Sequence, residues 1–292
     1  MKLFEGLEEI VKREVPLAPY TWLGIGGPAQ FFVEPTRVEE LAEVLRRCQD
    51  NEVPVRVLGG GANLLVDDSG VRGAVIKLAG DEFSRVEVGP ERIKVGAAAD
   101  LSKLVLRCVR EGVSGLECLT GIPGTIGGAI RMNAGGAFGD IGNVIESVTL
   151  MDVDGVPFTR MRGELAFGYR STNIAAKAIL DAEFRTAEDD PHRILNQVKQ
   201  IWIYKKNTQP LGHGNAGCVF KNPRGVSAGA LIDKAGMKGK TIGGAKVSQK
   251  HANFIVADRN ARASDVLKLI NEIREAVYKR NEIYLELELE VW

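Results

Sequence analysis

Residues 120–139, TGIPGTIGGAIRMNAGGAFG, and a shorter stretch at 57–66, VLGGGANLLV, are the most unusual parts of this 292-residue chain. The longer stretch holds seven glycines and almost no charge. Glycine gives no side chain to a core and loses the most conformational entropy on folding, so this density needs another reason. Bare main chain lets N–H groups come close to a bulky, oxygen-rich ligand. Because Pro123 fixes one φ angle, we expect a shaped loop and not a flexible linker.

Two interpretations of these stretches are open from the residues alone. They can be tight turns that join strands, or one site for the pyrophosphate of a nucleotide cofactor, and two such stretches in one domain favour the cofactor site. Neither contains the G-x-x-x-x-G-K-[ST] pattern of a Walker loop. The pattern from Gly59 to Gly61 starts a Rossmann fingerprint, but the third glycine is missing and the apolar run LLV follows. The sequence therefore predicts a nucleotide site of another kind.

The composition is that of an ordinary globular protein, with 45% hydrophobic and 26% charged residues. Lys+Arg and Asp+Glu are both 38, so no charge surplus favours nucleic acid or an acidic membrane. No apolar run approaches the ~18 residues of a membrane span, and the first residues lack the apolar run of a signal peptide. We expect a cytoplasmic protein with small-molecule partners, no nucleic acid, no membrane insertion and no obligate protein partner.

The cysteines, Cys48, Cys108, Cys118 and Cys218, are far apart and include no C-x-x-C pair. This spacing argues against a zinc site and against a disulfide framework, so we expect no bound metal. Cys48 and Cys108 fall inside amphipathic helical patterns and are predicted to be buried apolar residues.

Local patterns predict a mixture of helices and strands, with a change of composition near residue 187. Asp100 and Gly112 are predicted to cap and end one helix, and Thr36 with Glu39 to form a capping box for another. The predicted helices cover residues 6–15, 37–51, 101–111, 191–206, 227–235 and 264–280. The predicted strands cover residues 31–34, 55–58, 145–152, 156–159, 178–186, 253–257 and 284–291, with further short runs between 71 and 98.

Four further motifs follow the two glycine stretches in order: GYRSTN at 168–173, GNAGCVFKNP at 214–223, IGGAKVSQKHANFIV at 242–256 and LELEV at 287–291. Together with LGGGANLLV and GIPGTIGGAIRMNAGGAFG, they resemble the UDP-N-acetylenolpyruvoylglucosamine reductases, the MurB family of cell-wall synthesis. Order and spacing agree from about residue 19 to the C-terminus. With MNAGG after IGGA and no long insertion around Tyr169, the chain is similar to the shorter type II of the family.

The resemblance implies an α+β fold. Residues 1–187 would form a two-lobed FAD-binding domain of the vanillyl-alcohol oxidase type, with lobes of roughly 1–80 and 81–187. Residues 188–292 would form an α+β substrate-binding domain. The implied reaction uses FAD as cofactor and NADPH as co-substrate, and transfers hydride from reduced FAD to the enolpyruvyl group of UDP-N-acetylglucosamine enolpyruvate. The product would be UDP-N-acetylmuramate, a peptidoglycan precursor.

The resemblance also implies cofactor-binding residues, which all lie in or beside the glycine stretches. They are Leu58, Gly59, Gly60, Gly61, Ala62, Asn63, Leu64, Gly121, Ile122, Pro123, Gly124, Thr125, Gly127, Gly128, Asn133, Ala134 and Gly135.

Three residues are implied to be catalytic. Hydride addition beside a carboxylate creates an enolate, and Arg170 offers a planar fork that suits its charge. Cys218 stands where the family usually has Ser and would donate the proton. The alternative to this catalytic role is that Cys218 is only a small, buried apolar residue. Glu290 matches the family's C-terminal Glu, although alternation places Glu286, Glu288 and Glu290 on one face of a strand, where they could be a solvated ladder.

Lys206 is the implied diphosphate ligand, with Lys205 as a close rival, and Asn222 is placed beside the enolpyruvyl group. Tyr169 and His251 either line the pocket or are packed residues with satisfied polar atoms. Two other functions compete with the reductase: a flavoprotein oxidase of the same architecture and a non-catalytic nucleotide-sugar sensor. The match of the C-terminal half disfavours the oxidase, and the presence of all three catalytic residues disfavours the sensor.

Overall fold

The fold is described from a computed structural model, which describes residues 3–212 and 214–292. The helices are α1 (Val38–Asp50), α2 (Gly80–Ser84), α3 (Leu101–Glu111), α4 (Ile126–Arg131), α5 (Pro191–Thr208), α6 (Ala228–Lys234) and α7 (Ala263–Asn281). The strands are β1 (Val11–Pro16), β2 (Pro28–Val33), β3 (Val55–Val57), β4 (Leu64–Leu65), β5 (Val71–Ile76), β6 (Val86–Val88), β7 (Arg92–Gly96), β8 (Val113–Ser114), β9 (Gly135–Gly136), β10 (Gly139–Asp140), β11 (Ile145–Met151), β12 (Pro157–Met161), β13 (Phe167–Gly168), β14 (Ser171–Thr172), β15 (Ala178–Arg185), β16 (Ala187–Glu188), β17 (Thr241–Ile242), β18 (Ala245–Val247), β19 (Ile255–Ala257) and β20 (Glu290–Val291). Within these described ranges, no helix has the length and apolar character needed to cross a membrane.

The chain forms two compact units. Unit 1 contains the residues up to Glu14, Gln30–Gly60 and Arg72–Tyr204, and unit 2 contains Val15–Ala29, Gly61–Val71 and Lys205–Trp292. The chain enters unit 2 three separate times. No single cut in the sequence therefore separates the units, and the assignment of an FAD domain to residues 1–187 and a substrate domain to 188–292 stays a prediction.

Unit 1 is built on two sheets. A five-stranded antiparallel sheet has the order β12-β11-β15-β7-β6. A four-stranded sheet, with most of its residues in this unit, has the order β1-β2-β5-β3, and β3 and β5 are parallel. The predicted strands at 55–58, 145–152, 156–159 and 178–186 are confirmed within a few residues.

Helix α3 shows how local sequence signals determine an element of unit 1. The carboxylate of Asp100 accepts a hydrogen bond of 2.8 Å from the N–H of Lys103, which satisfies a free donor of the first turn. The helix ends at Gly112, which takes the left-handed conformation with φ 68°. Leu101, Leu104 and Cys108 are buried between these ends, so the predicted caps and apolar face are confirmed.

Unit 2 has its own hydrophobic core. The three-stranded antiparallel sheet β17-β18-β19 contacts α7, which also contacts α6. The predicted apolar stripe of α7 is buried as expected; its residues are Val266, Leu269, Ile270, Ile273 and Val277. Strand β20 pairs in parallel with β4, so the last residues of the chain join the segment 61–71 inside unit 2.

Three local predictions are wrong. Residues 6–15 do not form a helix: a short 3-10 turn at Glu8–Ile10 leads into β1, because pairing with β2 overrides the amphipathic pattern. Thr36 hydrogen-bonds Glu40 and not Glu39, through its N–H at 2.8 Å and its hydroxyl at 3.1 Å. In the predicted strand 284–291 only β20 is a strand, because the N–H groups of Glu288 and Leu289 both donate to one carbonyl oxygen, that of Val219.

Candidate functional site

The two glycine stretches meet inside unit 1. A Cβ placed on Gly60 would lie 2.6 Å from the Cα of Gly124, and one placed on Gly59 would lie 2.7 Å from the hydroxyl oxygen of Thr125. Real Cβ atoms essentially never come this close, so Gly60 packs against the main chain of Gly124 and Gly59 against the Thr125 hydroxyl. Glycine is needed at residues 59 and 60 because a side chain would push the two loops apart.

This loop pair presents N–H groups that the protein itself does not use. Over residues 3–212 and 214–292, the main-chain N–H groups of Gly59, Gly60, Gly121, Gly124 and Thr125 find no protein acceptor. All five residues are only partly buried. Several unpaired donors on adjoining glycine loops suit the oxygens of a diphosphate.

The continuation of the shorter stretch, in unit 2, has the same property. The N–H groups of Gly61, Ala62 and Asn63 also lack an acceptor in the described part of the chain. A Cβ on Gly61 would collide with the carbonyl oxygen of Tyr20, and its φ of 62° is strained for any other residue. The amide of Asn63 donates a 2.9 Å hydrogen bond to the carbonyl oxygen of Glu288.

Several of the other predicted cofactor residues are already engaged through their main chain. The N–H groups of Leu58, Ile122, Gly127 and Ala134 donate to carbonyl oxygens of Ile76, Leu119, Ala97 and Ala129. Leu64 and Gly135 lie in β4 and β9, Gly128 donates weakly to Thr125 at 3.4 Å, and Pro123 has no N–H. Their part in cofactor binding stays a prediction, and the unpaired N–H groups carry the stronger case.

Arg170 lies at the tip of a short hairpin in unit 1. Strands β13 and β14 pair Gly168 with Ser171, which leaves Tyr169 and Arg170 as the turn residues. Arg170 has a φ of 53°, a left-handed conformation that is uncommon outside glycine. Its guanidinium carbon lies 5.4 Å from the centroid of the Tyr169 ring, which is more than half exposed. Strained turns of this kind are concentrated at functional sites.

The buried side chain of Asn133 holds this hairpin. Its amide N–H donates to the carbonyl oxygen of Gly168 at 2.8 Å, and its oxygen accepts from the N–H of Gly142 at 3.0 Å. The side chain of Asn133 is 3% exposed and makes both hydrogen bonds within the protein. The predicted part of Asn133 in cofactor binding stays a prediction. The motif MNAGG marks Asn133 in the sequence. Nothing in the sequence shows that its side chain binds the carbonyl oxygen of Gly168, 35 residues away.

Cys218 lies in a shaped turn of unit 2. Gly217 has a φ of 74°, and its N–H donates at 3.1 Å to the side-chain oxygen of Asn215. On the other side of Cys218, the N–H of Val219 donates at 2.8 Å to the carbonyl oxygen of Asn253. The thiol is neither in the core nor fully exposed.

Unit 2 also brings the C-terminal segment to the Cys218 turn. An isolated bridge pairs Phe220 with Leu287, and the carbonyl oxygen of Val219 accepts from the N–H groups of Glu288 and Leu289. Glu290 follows directly; its side chain is exposed and its N–H donates at 3.1 Å to Asn63. Glu286, four residues before Glu290, is also exposed and forms an ion pair of 2.6 Å with Lys221.

The remaining predicted residues also fall in unit 2. The side-chain oxygen of Asn222 accepts from the N–H of Ala228 at 2.9 Å and so helps to cap α6. Lys206 is exposed and its carbonyl oxygen accepts from the ammonium group of Lys250, whereas Lys205 is only 7% exposed.

His251 is neutral in this arrangement. Its Nδ1 accepts a 3.2 Å hydrogen bond from the N–H of Asn253, which requires an unprotonated nitrogen. Burial, and to a smaller extent the charge of Lys238, lowers the pKa of His251. His251 is thus linked to the residue that borders the Cys218 turn.

Comparison with known proteins relates the chain to one family of enzymes. The FAD binding domain family matches residues 29–159, and the C-terminal domain family of UDP-N-acetylenolpyruvoylglucosamine reductase matches residues 209–292. UDP-N-acetylenolpyruvoylglucosamine reductase 2 of Symbiobacterium thermophilum is 41% identical over 97% of this chain and 92% of its own length. The enzyme of Syntrophus aciditrophicus is 40% identical over 94% and 90%. The crystal structure of UDP-N-acetylenolpyruvylglucosamine reductase (MurB) from Thermus caldophilus matches with a TM-score of 0.85 and 41% identity, covering 97% of this chain and 98% of that one.

An FAD-binding domain with unpaired N–H groups on its glycine loops, followed by a second mixed domain, defines a flavin-dependent oxidoreductase. The expected α+β fold and the expected cofactor are confirmed. The chain belongs to the UDP-N-acetylenolpyruvoylglucosamine reductase (MurB) family.

Proposed function

We propose that this protein uses NADPH to reduce the enolpyruvyl group of UDP-N-acetylglucosamine enolpyruvate to UDP-N-acetylmuramate. The observation that carries the proposal is relatedness at about 40% identity over nearly the whole length of reductases named for this substrate. The described cysteines are all free thiols, which suits the reducing cytoplasm where we place the reaction.

FAD, when bound, would supply the chemistry of hydride transfer between NADPH and the enolpyruvyl group. The residues present fit this cofactor, because the unpaired N–H groups of Gly59, Gly60, Gly121, Gly124 and Thr125 can donate to its diphosphate. The protein's own task in this step is to bind the diphosphate through main chain.

Arg170 stabilises negative charge on the substrate carboxylate. When hydride adds to the methylene carbon of the enolpyruvyl group, the electron pair of the double bond moves onto the carbon beside the carboxylate as an enolate. A guanidinium can give two parallel hydrogen bonds to a carboxylate, which an ammonium group cannot. The hairpin held by Asn133 fixes the backbone from which this group extends.

Cys218 donates the proton that completes the reduction. A new C–H bond forms at the enolate carbon, the S–H bond breaks, and the thiolate is later reprotonated from solvent. Glu290 orients the donor or polarises the enolate. Lys206 binds the diphosphate of the substrate and Asn222 hydrogen-bonds beside the enolpyruvyl group, through the amide N–H that the α6 cap does not use.

The test separates the two half-reactions, since flavin reduction precedes any need for the proton. We expect Cys218→Ala to be bleached normally by NADPH without oxygen and then to stall when the UDP-sugar is added. Cys218→Ser keeps a hydroxyl proton to give and should stay active. Stopped-flow absorbance of the flavin measures both steps.

Three results would each contradict a part of the proposal. Parental re-oxidation of Cys218→Ala by the UDP-sugar would remove Cys218 as the donor. Rapid re-oxidation by oxygen but not by the UDP-sugar would indicate an oxidase, and a protein without yellow colour would remove the flavin step altogether.

A further inference from the structure

The main chain on both sides of Cys218 is held by two buried asparagines. Asn253 is 2% exposed and Asn215 is 6% exposed, so both are polar side chains inside the core of unit 2. Neither has an assigned role in the chemistry proposed above. Burying a carboxamide is unfavourable unless its hydrogen bonds are made, and both asparagines make them with backbone groups near Cys218.

Asn253 acts on the segment that follows Cys218. Its side-chain oxygen accepts from the N–H of Phe220 at 3.0 Å, and its side-chain amide donates to the carbonyl oxygen of the same residue at 2.7 Å. Its own carbonyl oxygen accepts from the N–H of Val219 at 2.8 Å. Asn253 thus makes with Val219 and Phe220 the hydrogen bonds that a neighbouring strand would make, although it lies 33 residues from Phe220 in the sequence.

Asn215 acts on the segment that precedes Cys218. Its oxygen accepts from the N–H of Gly217 at 3.1 Å, and its amide donates to the carbonyl oxygens of Pro210 and Gly212 at 3.0 and 2.8 Å. Gly217 therefore keeps its φ of 74° directly before the cysteine. Together the two asparagines fix the backbone on both sides of Cys218.

We propose that Asn253 and Asn215 are positioning residues that hold Cys218 at the place where it delivers its proton. This inference rests on the proposed role of Cys218. A thiol on a single carbon follows its backbone, because only one side-chain torsion separates the sulfur from the main chain. A shift of about 1 Å in a reacting group can lower a rate about 100-fold.

The variants Asn253→Asp and Asn253→Ala test the role of Asn253. The aspartate keeps the volume and the acceptor for the N–H of Phe220, and in its ionised form it cannot donate to the carbonyl oxygen of Phe220. The alanine loses both bonds. We expect flavin reduction by NADPH at the parental rate and re-oxidation by the UDP-sugar slowed about 10- to 100-fold. The solvent deuterium isotope effect on re-oxidation should rise, because proton transfer becomes slower than hydride transfer. Asn215→Asp, which keeps the acceptor for Gly217, should show the same pattern to a smaller degree.

Val247→Ala is the matched control. Val247 is fully buried in β18 of the same unit, and its side chain takes no part in the hydrogen bonds that hold the Cys218 turn. We therefore expect its truncation to lower the melting temperature and to leave those hydrogen bonds in place. Both half-reactions should keep their parental rates in this variant. A loss of re-oxidation in Val247→Ala equal to that in Asn253→Asp would show that general destabilisation, and not positioning, causes the effect.

A double-mutant cycle distinguishes failure of this inference from failure of the proposed function. If Asn253 acts through Cys218, then Asn253→Asp should cause no further loss in a Cys218→Ala background. Additive losses, or a parental rate for both Asn253 variants, would overturn the positioning role while leaving Cys218 as donor. A parental rate for Cys218→Ala alone would overturn the donor role of Cys218 and this inference with it, whereas failure of the UDP-sugar to re-oxidise the flavin of the parental protein would overturn the proposed function.

Discussion

Arg170 and the residue that holds its hairpin, Asn133, both have a left-handed backbone conformation. Arg170 has a φ of 53° and Asn133, which binds the neighbouring Gly168, has a φ of 47°. Asparagine tolerates this region better than most residues, but arginine does not. Such strain persists when the surrounding structure compensates for it, and here the two hydrogen bonds of the Asn133 side chain do so.

Replacing Arg170 by lysine tests the guanidinium separately from the backbone. Both residues are equally strained at a φ of 53°, so the hairpin should be kept. We expect flavin reduction to survive and re-oxidation by the UDP-sugar to fall about 100- to 1,000-fold, as for other preorganised charge stabilisers.

Arg162→Lys is the control for that substitution. Arg162 also places its guanidinium over an aromatic ring, that of Phe167 at 5.4 Å, and its side chain is exposed. We expect parental rates in this variant. Equal damage to both half-reactions by Arg170→Lys would mean that Arg170 serves the flavin or the fold and not the enolate.

At the scale of elements, the sequence predicts what short-range signals determine. Helix α3 has its cap, its apolar face and its stop within thirteen residues, and all are found as expected. The shorter glycine stretch is equally plain in the sequence. What cannot be read there is that Gly60 packs on Gly124, since this contact joins loops 64 residues apart and no side chain announces it.

The same limit explains the errors and omissions. Whether residues 11–16 form a helix or a strand depends on the strand β2 that pairs with them, and the amphipathic pattern alone cannot decide. The roles of Asn133 and Asn253 depend on hydrogen bonds to backbone groups 35 and 33 residues away. Backbone acceptors are the same at every residue, so a sequence pattern cannot identify them.

The contact between the glycine loops predicts that adding a single methyl group at Gly60 is enough to disturb the flavin site. Gly60 and Gly163 both have φ angles open to any residue, but a Cβ on Gly163 would meet nothing within 4 Å, whereas one on Gly60 would lie 2.6 Å from Gly124. We expect Gly60→Ala to separate the loops, at about 1–3 kcal/mol of overpacking, and to purify with much less flavin. Gly163→Ala should keep full flavin content and stability. Absorbance near 450 nm relative to protein, with thermal denaturation, measures both; full flavin in Gly60→Ala would show that this contact does not shape the site.

At the scale of the whole molecule, the two units have separate hydrophobic cores. Two of the cysteines lie in the core of unit 1, and their reactivity shows when that core opens. Cys48 in α1 and Cys108 in α3 are buried in the core of unit 1. Burial raises the pKa of Cys48 to about 11 and that of Cys108 to about 12. Both thiols are therefore neutral and inaccessible at pH 8, and a thiol reagent can reach them only when unit 1 opens.

Because Cys48 and Cys108 are buried, their labelling rate measures how strongly FAD stabilises the folded protein, without an assay of activity. In a Cys118→Ser, Cys218→Ser background, only Cys48 and Cys108 remain to react, and we expect slow labelling in the apoprotein at pH 8. A ligand that binds only the folded state stabilises it by about 2.7 kcal/mol at 100 times its Kd, so FAD at that concentration should slow labelling about 100-fold if opening is in rapid equilibrium. Adenosine, which has no diphosphate, should protect far less. If FAD bound but left the labelling rate of Cys48 and Cys108 unchanged, the glycine loops of unit 1 would not be where its diphosphate is held.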